Sequence, residues 1–100
     1  MVHPNLRIPR ERLADFCRAN HIRRLAFFGS VLREDFGPRS DVDVLVEFEE
    51  GHVPGLRFFA LQRELAEILG REVDLQTPGF LSPYFRSQVL QEAEVHYDAA

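Results

Sequence analysis

Three short stretches of this sequence carry residues whose types and spacing suit phosphate chemistry. Gly29-Ser30 closes an apolar run. Glycine lets a backbone approach a ligand closely, amides at a helix start favour phosphate, and Ser30 adds a hydroxyl. The pair reads equally as a simple helix N-cap. Asp41-Val42-Asp43 places two carboxylates at i and i+2, which on a strand point to the same side. Two such acids repel unless something positive sits between them. A divalent cation resolves the repulsion, and magnesium favours carboxylates together with substrate phosphates. Solvated acids at a strand edge are the plainer alternative. Asp74 is the third candidate, either an exposed strand acid or a further ligand to the same cluster.

These residues need a sheet to position them. Residues 22–28 read as a strand stopped by Gly29, with a short helical turn expected at 31–35. Residues 36–41 carry loop signals in Gly37, Pro38 and Ser40. Residues 42–48 form the clearest strand: Val42, Val44, Val46 and Phe48 share one face, while Asp41, Asp43, Leu45 and Glu47 share the other. Residues 72–76 repeat the alternation, with Val73 and Leu75 opposite Glu72, Asp74 and Gln76. If these strands pair, they lie roughly 5 Å apart, and Asp74 reaches the acids of the first. Two metal ions roughly 4 Å apart could then clamp an in-line displacement at phosphorus.

Helices are predicted over 9–19, with Leu13, Phe16 and Cys17 on one face, and over 55–70, closed by Gly70. A last helix is expected from about 82 to 93, with Val95 and Tyr97 in a terminal strand or tail. The pattern predicts an α+β fold of two layers: a small mixed β-sheet, helices on its apolar face, and an open face bearing the carboxylates.

Composition narrows the function classes. A chain of 100 residues fits one domain, 1–100, without room for a separate acceptor-binding domain. The net charge of −4, from 12 basic and 16 acidic residues, argues against a general nucleic-acid coat. Arg7, Arg10, Arg12, Arg18, Arg23 and Arg24 crowd the first 24 positions, as a solvated face or as a contact surface for an acidic partner. One cysteine, Cys17, precludes an internal disulfide and suits a reducing, cytoplasmic setting. No apolar run approaches the ~20 residues of a membrane span. His3, His21, His52 and His96 lack ligand spacing and are expected at the surface. Phe27-Phe28 and Phe58-Phe59 are expected in the core.

Gly29-Ser30, ten intervening residues and Asp41-x-Asp43 together resemble the GS-x(n)-D-x-D signature of the polymerase-beta-like nucleotidyltransferases. The string FFGSVLREDFGPRSDVDVLVEFEEG, residues 27–51, is similar to their minimal branch, including the Ser40-Asp41 junction. Asp74 falls where that family places its third carboxylate, and the resemblance spans about residues 9–97. It implies that Asp41, Asp43 and Asp74 ligate magnesium, with two ions, and that Asp74 helps take the acceptor's proton. Gly29, Ser30 and Ser40 would hold the nucleotide. Arg33 and Arg39 are candidates for triphosphate contact, for which the guanidinium geometry is apt. In the family, minimal members are commonly paired with HEPN-domain RNase toxins, which they neutralise by moving AMP from ATP to a tyrosine. That implies a HEPN partner, with a homo-oligomer or a hetero-oligomer with the toxin. Masking the toxin by binding alone, or transfer to a small molecule at a homodimer interface, are the other readings.

Overall fold

The computed structural model describes residues 1–99. The chain runs α1 (Arg10–Ala19), β1 (Ile22–Phe28), a 3-10 turn (Gly29–Leu32), β2 (Val42–Phe48), α2 (Arg57–Leu69), β3 (Val73–Gln76), a second 3-10 turn (Pro78–Phe80), α3 (Arg86–Glu92) and β4 (Glu94–Asp98). The sheet order is β3-β2-β1-β4. β1 is antiparallel to β2 and β4, and β2 is parallel to β3 across the α2 crossover.

Strand alternation builds the core. Leu25 and Phe27 of β1, Val42, Val44 and Val46 of β2, and Val73 and Leu75 of β3 are buried with Leu13, Phe16 and Cys17 of α1 and Leu61, Leu65 and Leu69 of α2. Each fully buried aliphatic side chain here contributes roughly 1.5–3 kcal/mol. Asn20 ends α1. Its amide donates to the Phe16 carbonyl at 2.9 Å and its carbonyl accepts from Arg57 at 3.0 Å, so a buried polar group ties α1 to α2. Gly70 closes α2 at φ 65°, a left-handed stop that glycine adopts without a Cβ clash. Burial pushes the Cys17 thiol up to about 12, which keeps it protonated and inert.

Several expectations shift. The turn after β1 begins at Gly29, two residues before the predicted start, because a left-handed glycine leaves no periodic signal. The last helix is shorter than 82–93. Pro83 disfavours helical backbone at Ser82, so α3 starts at Arg86, whose guanidinium donates to the carbonyls of Pro78 and Leu81 at 2.8 and 3.1 Å. The carboxylate face is not open throughout. Ala26 and Leu45 are buried there, and α3 and β4 bring Leu90, Ala93 and Val95 against them around a small cavity of about 40 Å³. Three of the six early arginines are engaged: Arg18 pairs with Asp15, while Arg23 and Arg24 both reach Glu47, and Arg7, Arg10 and Arg12 stay exposed. His96 is largely buried, edge-on to Phe27 at 4.9 Å. Phe59 is exposed rather than core. Among the described residues, no helix is long and apolar enough to cross a membrane.

Candidate active site

The strand register brings the acids together. Phe28 is opposite Asp43, and Asp43 is opposite Asp74. Asp43 and Asp74 therefore lie side by side on adjacent strands, on the face away from the core, with Asp41 two residues earlier on the same side of β2. Asp41 and Asp74 are exposed and Asp43 is half-buried. Burial, then the charges of Asp74 and Asp41, push the Asp43 carboxyl above the usual carboxylate range. The Ser30 amide donating to it and the Arg33 guanidinium partly offset this. The net effect is crowded negative charge with little cationic compensation from the protein.

Gly29 accommodates that crowding. Its φ is 74°, and a Cβ at this position would run into the Asp43 carboxylate. Any side chain here would displace Asp43 and strain the backbone. Ser30 follows with its amide on Asp43 and its hydroxyl donating to the Asp41 carbonyl at 3.3 Å. The Gly-Ser turn thus grips both ends of the Asp41-Asp43 segment.

The remaining predicted residues separate. Arg33 is close enough to act on Asp43 and lines a groove of about 320 Å³ with Phe28, Gly29, Phe85, Gln88, Val89 and Glu92. Arg39 is exposed on the loop before β2. Ser40 closes a turn within that loop: its hydroxyl accepts from the Gly37 amide at 3.1 Å, and its own amide donates to the Gly37 carbonyl. Asp74 accepts from the Gln76 amide at 3.0 Å.

One residue that sequence reasoning missed positions this site. Arg71 donates to the carbonyls of Gly37 and Ser40, and its guanidinium lies 4.4 Å over the buried ring of Phe36. It pins the loop that delivers Asp41. Phe85, Gln88 and Glu92 were also missed, because they reach the site only through the fold-back of the segment after β3.

Asp43 and Asp74 in register, with Asp41 beside them, offer oxygen donors alone and carry unneutralised charge, their ligating atoms standing more widely apart than 4.8 Å as a group of three. That set fits a hard divalent cation such as magnesium. Adjacent to it are a glycine turn that admits close approach and a groove with an arginine on its wall. Such an arrangement can orient a polyphosphate against a carboxylate base.

The sequence and the fold both have known counterparts. The nucleotidyltransferase domain family matches residues 10–96. The chain is 40% identical over 72 residues to the Methanocaldococcus jannaschii protein MJ0435, which carries a protein adenylyltransferase name, over 72% of this chain and 76% of that protein. It is 39% identical over 72 residues to the protein adenylyltransferase MntA of Thermococcus cleftensis, covering 71% of each. A solved complex of a tri-AMPylated Shewanella oneidensis HEPN toxin with its MNT antitoxin shares the fold, with a TM-score of 0.64 at 21% identity, over 89% of this chain and 69% of that one. With glycine turn, paired strand acids and neighbouring strand acid in one register, and with these relatives, the chain belongs to the nucleotidyltransferase domain family.

Proposed function

We propose that this protein transfers AMP from ATP to a hydroxyl, a tyrosine in the first instance, of a partner HEPN RNase toxin in the cytoplasm, and so serves as its antitoxin. The single domain of residues 1–100 carries the activity. The observation that carries this reading is the in-register pair Asp43 and Asp74 beside the Gly29-Ser30 turn. The names of the relatives supply the acceptor class: MntA is a protein adenylyltransferase, and the Shewanella toxin is AMPylated in its complex.

In this reaction the acceptor oxygen bonds to the α-phosphorus, the bond from that phosphorus to the bridging oxygen breaks, and pyrophosphate leaves. Asp41, Asp43 and Asp74 would hold magnesium, as two ions, which neutralises phosphate charge and favours the ionised acceptor. Asp74, the most accessible of the strand-paired acids, takes the acceptor's proton. Gly29 and Ser30 leave room for the triphosphate against β1. Arg33 contacts its oxygens from the groove wall, and Arg39 and Ser40 approach from the loop. The groove between Gly29 and α3 receives the nucleoside. Arg71 keeps Asp41 in place by holding its loop.

The test is to incubate the protein with its cognate HEPN partner, ATP and magnesium and to weigh the partner by intact-mass spectrometry. A mass increase of one or more AMP units is expected. No increase, with both proteins folded, would sink the reading.

A second reading is stoichiometric masking. It draws on an apolar groove of about 400 Å³ at the opposite end of the sheet, walled by Val53, Phe58, Phe59, Pro78 and Phe80. Asp41→Asn with Asp43→Asn separates the two. Protection of cells by the double variant favours masking, and loss of protection favours catalysis.

A further inference from the structure

His21, Glu49 and His52 meet at the end of the β1–β2 ladder remote from the acids. His21 precedes β1, and Glu49 follows β2. Their ligating atoms lie within 4.8 Å of one another. The imidazoles of His21 and His52 stack at 3.9 Å and 13°, and His21 Nδ1 is 3.9 Å from Glu49 Oε1. We propose that these three residues form a binding site for a transition-type divalent cation, of which zinc is the reference ion.

The backbone preorganises the three. The Glu49 amide donates to the His21 carbonyl at 2.8 Å, extending the ladder by one rung. The His52 amide donates to the Glu49 carbonyl at 3.0 Å, closing a four-residue turn with Gly51 at φ 81°. Each ligand-bearing residue is thus hydrogen-bonded through its backbone to another. His21 itself is held at φ 56°, the only non-glycine residue with positive φ among the described residues. That conformation is sparsely populated for residues with a Cβ. It turns the chain out of α1 and aims the His21 ring at the turn.

The donor set decides the ion. Two imidazoles and one carboxylate suit zinc and its neighbours, whereas magnesium takes an all-oxygen set. Tetrahedral zinc with bonds of about 2.0–2.1 Å needs donors about 3.3–3.5 Å apart. The present spacing reaches this through rotation about side-chain bonds. Side-chain exposures of 51% for His21 and 45% for Glu49 leave both free to rotate. Parallel rings do not aim their lone pairs at one point, so binding unstacks them. Three protein ligands leave the fourth position to water or to a donor from another molecule. The bound ion would join the α1–β1 corner to the turn that leads into Val53 and the apolar groove. None of this depends on the transferase reading.

The experiment is calorimetric titration of the whole chain with zinc chloride in magnesium-free buffer, with cobalt(II) absorption as a second readout. Because the carboxylates of the acid end also take zinc, the site is read in the Asp41→Asn/Asp43→Asn variant, which is expected to bind one equivalent and to give a visible cobalt band. Added to that variant, His52→Ala, and His21→Asn with a residue tolerant of positive φ, should each lower zinc affinity by about tenfold or more. Circular dichroism checks that both fold, and Glu49→Gln serves as a third, milder variant. In the aspartate variant, a flat isotherm, or binding that survives the added histidine substitutions, overturns the proposal.

Discussion

At one end of the β1–β2 ladder Phe28 lies opposite Asp43 and the clustered side chains are carboxylates; at the other, His21 pairs with Glu49 and the cluster includes two imidazoles. The same two strands support both. The acid end gains density from a third strand, since β3 enters in register and sets Asp74 beside Asp43. It also gains burial, because the Gly-Ser turn folds over Asp43. The histidine end has only a turn beside it and stays open to water. Burial and like charge together make the acid end hungry for a cation, while the histidine end relies on ligand softness and a fixed backbone. One ladder can therefore carry two sites of different ion preference without the sheet changing.

The largest expected effect breaks the acid end outright. Asp41→Asn with Asp43→Asn should lower the rate of AMP transfer by at least about a hundredfold, since losing ligands costs more than losing their supporting residues. The thermal midpoint in metal-free buffer should hold or rise, because like-charge repulsion is removed. Initial rates by mass spectrometry and a melting curve check the two halves. A sharp fall in the midpoint would contradict the placement of these acids on a crowded, metal-free face.

Gly29→Ala tests the same end through the backbone. The added methyl meets the Asp43 carboxylate at a residue with φ 74°. A loss of about 1–3 kcal/mol in stability is expected from the strained conformation, with a rate loss of about tenfold to a hundredfold as Asp43 is displaced. Denaturant titration and the transfer assay measure these. Arg71→Met should act more mildly. It keeps bulk over Phe36 but removes two hydrogen bonds to the loop, for about 1–3 kcal/mol. The rate should fall about tenfold, and restoration by Arg71→Lys should be partial, because an ammonium lacks the fork that spans two carbonyls.

The two ends also differ in how far they could be read from the chain. Asp41 and Asp43 are visible because alternation within one strand puts i and i+2 on a common side, and β2 runs over the predicted 42–48. Asp74 needs only one further step, the pairing of two strands whose apolar faces match. Arg71 is different. Nothing in its neighbourhood in sequence announces that it reaches back to Gly37 and Ser40, because that contact exists only once β3 lies beside β2. Phe85, Gln88 and Glu92 were hidden for a similar reason: Pro78 and Pro83 interrupt the helical pattern, and where the segment folds back is a tertiary outcome. His21 and His52 have no ligand spacing along the chain. They meet through hairpin register, a left-handed residue and a tight turn, none of which periodicity records.

The smallest expected effect separates His96 from the two stacked histidines. His96 is held against Phe27, with a side chain only 16% exposed. Burial lowers its pKa, opposed by the Glu94 carboxylate and reinforced by Arg10 and the N-terminal ammonium. With the folded value below the ordinary 6.5, the unfolded chain binds the proton more readily. Stability from this group is then complete above about pH 6.5 and is lost as the pH falls toward the lowered folded value. His96→Phe, which keeps an aromatic edge against Phe27, should flatten the melting midpoint across that window. If the slope persists in His96→Phe, the packed imidazole does not govern acid sensitivity, and the contrast between an open cluster and a packed ring fails.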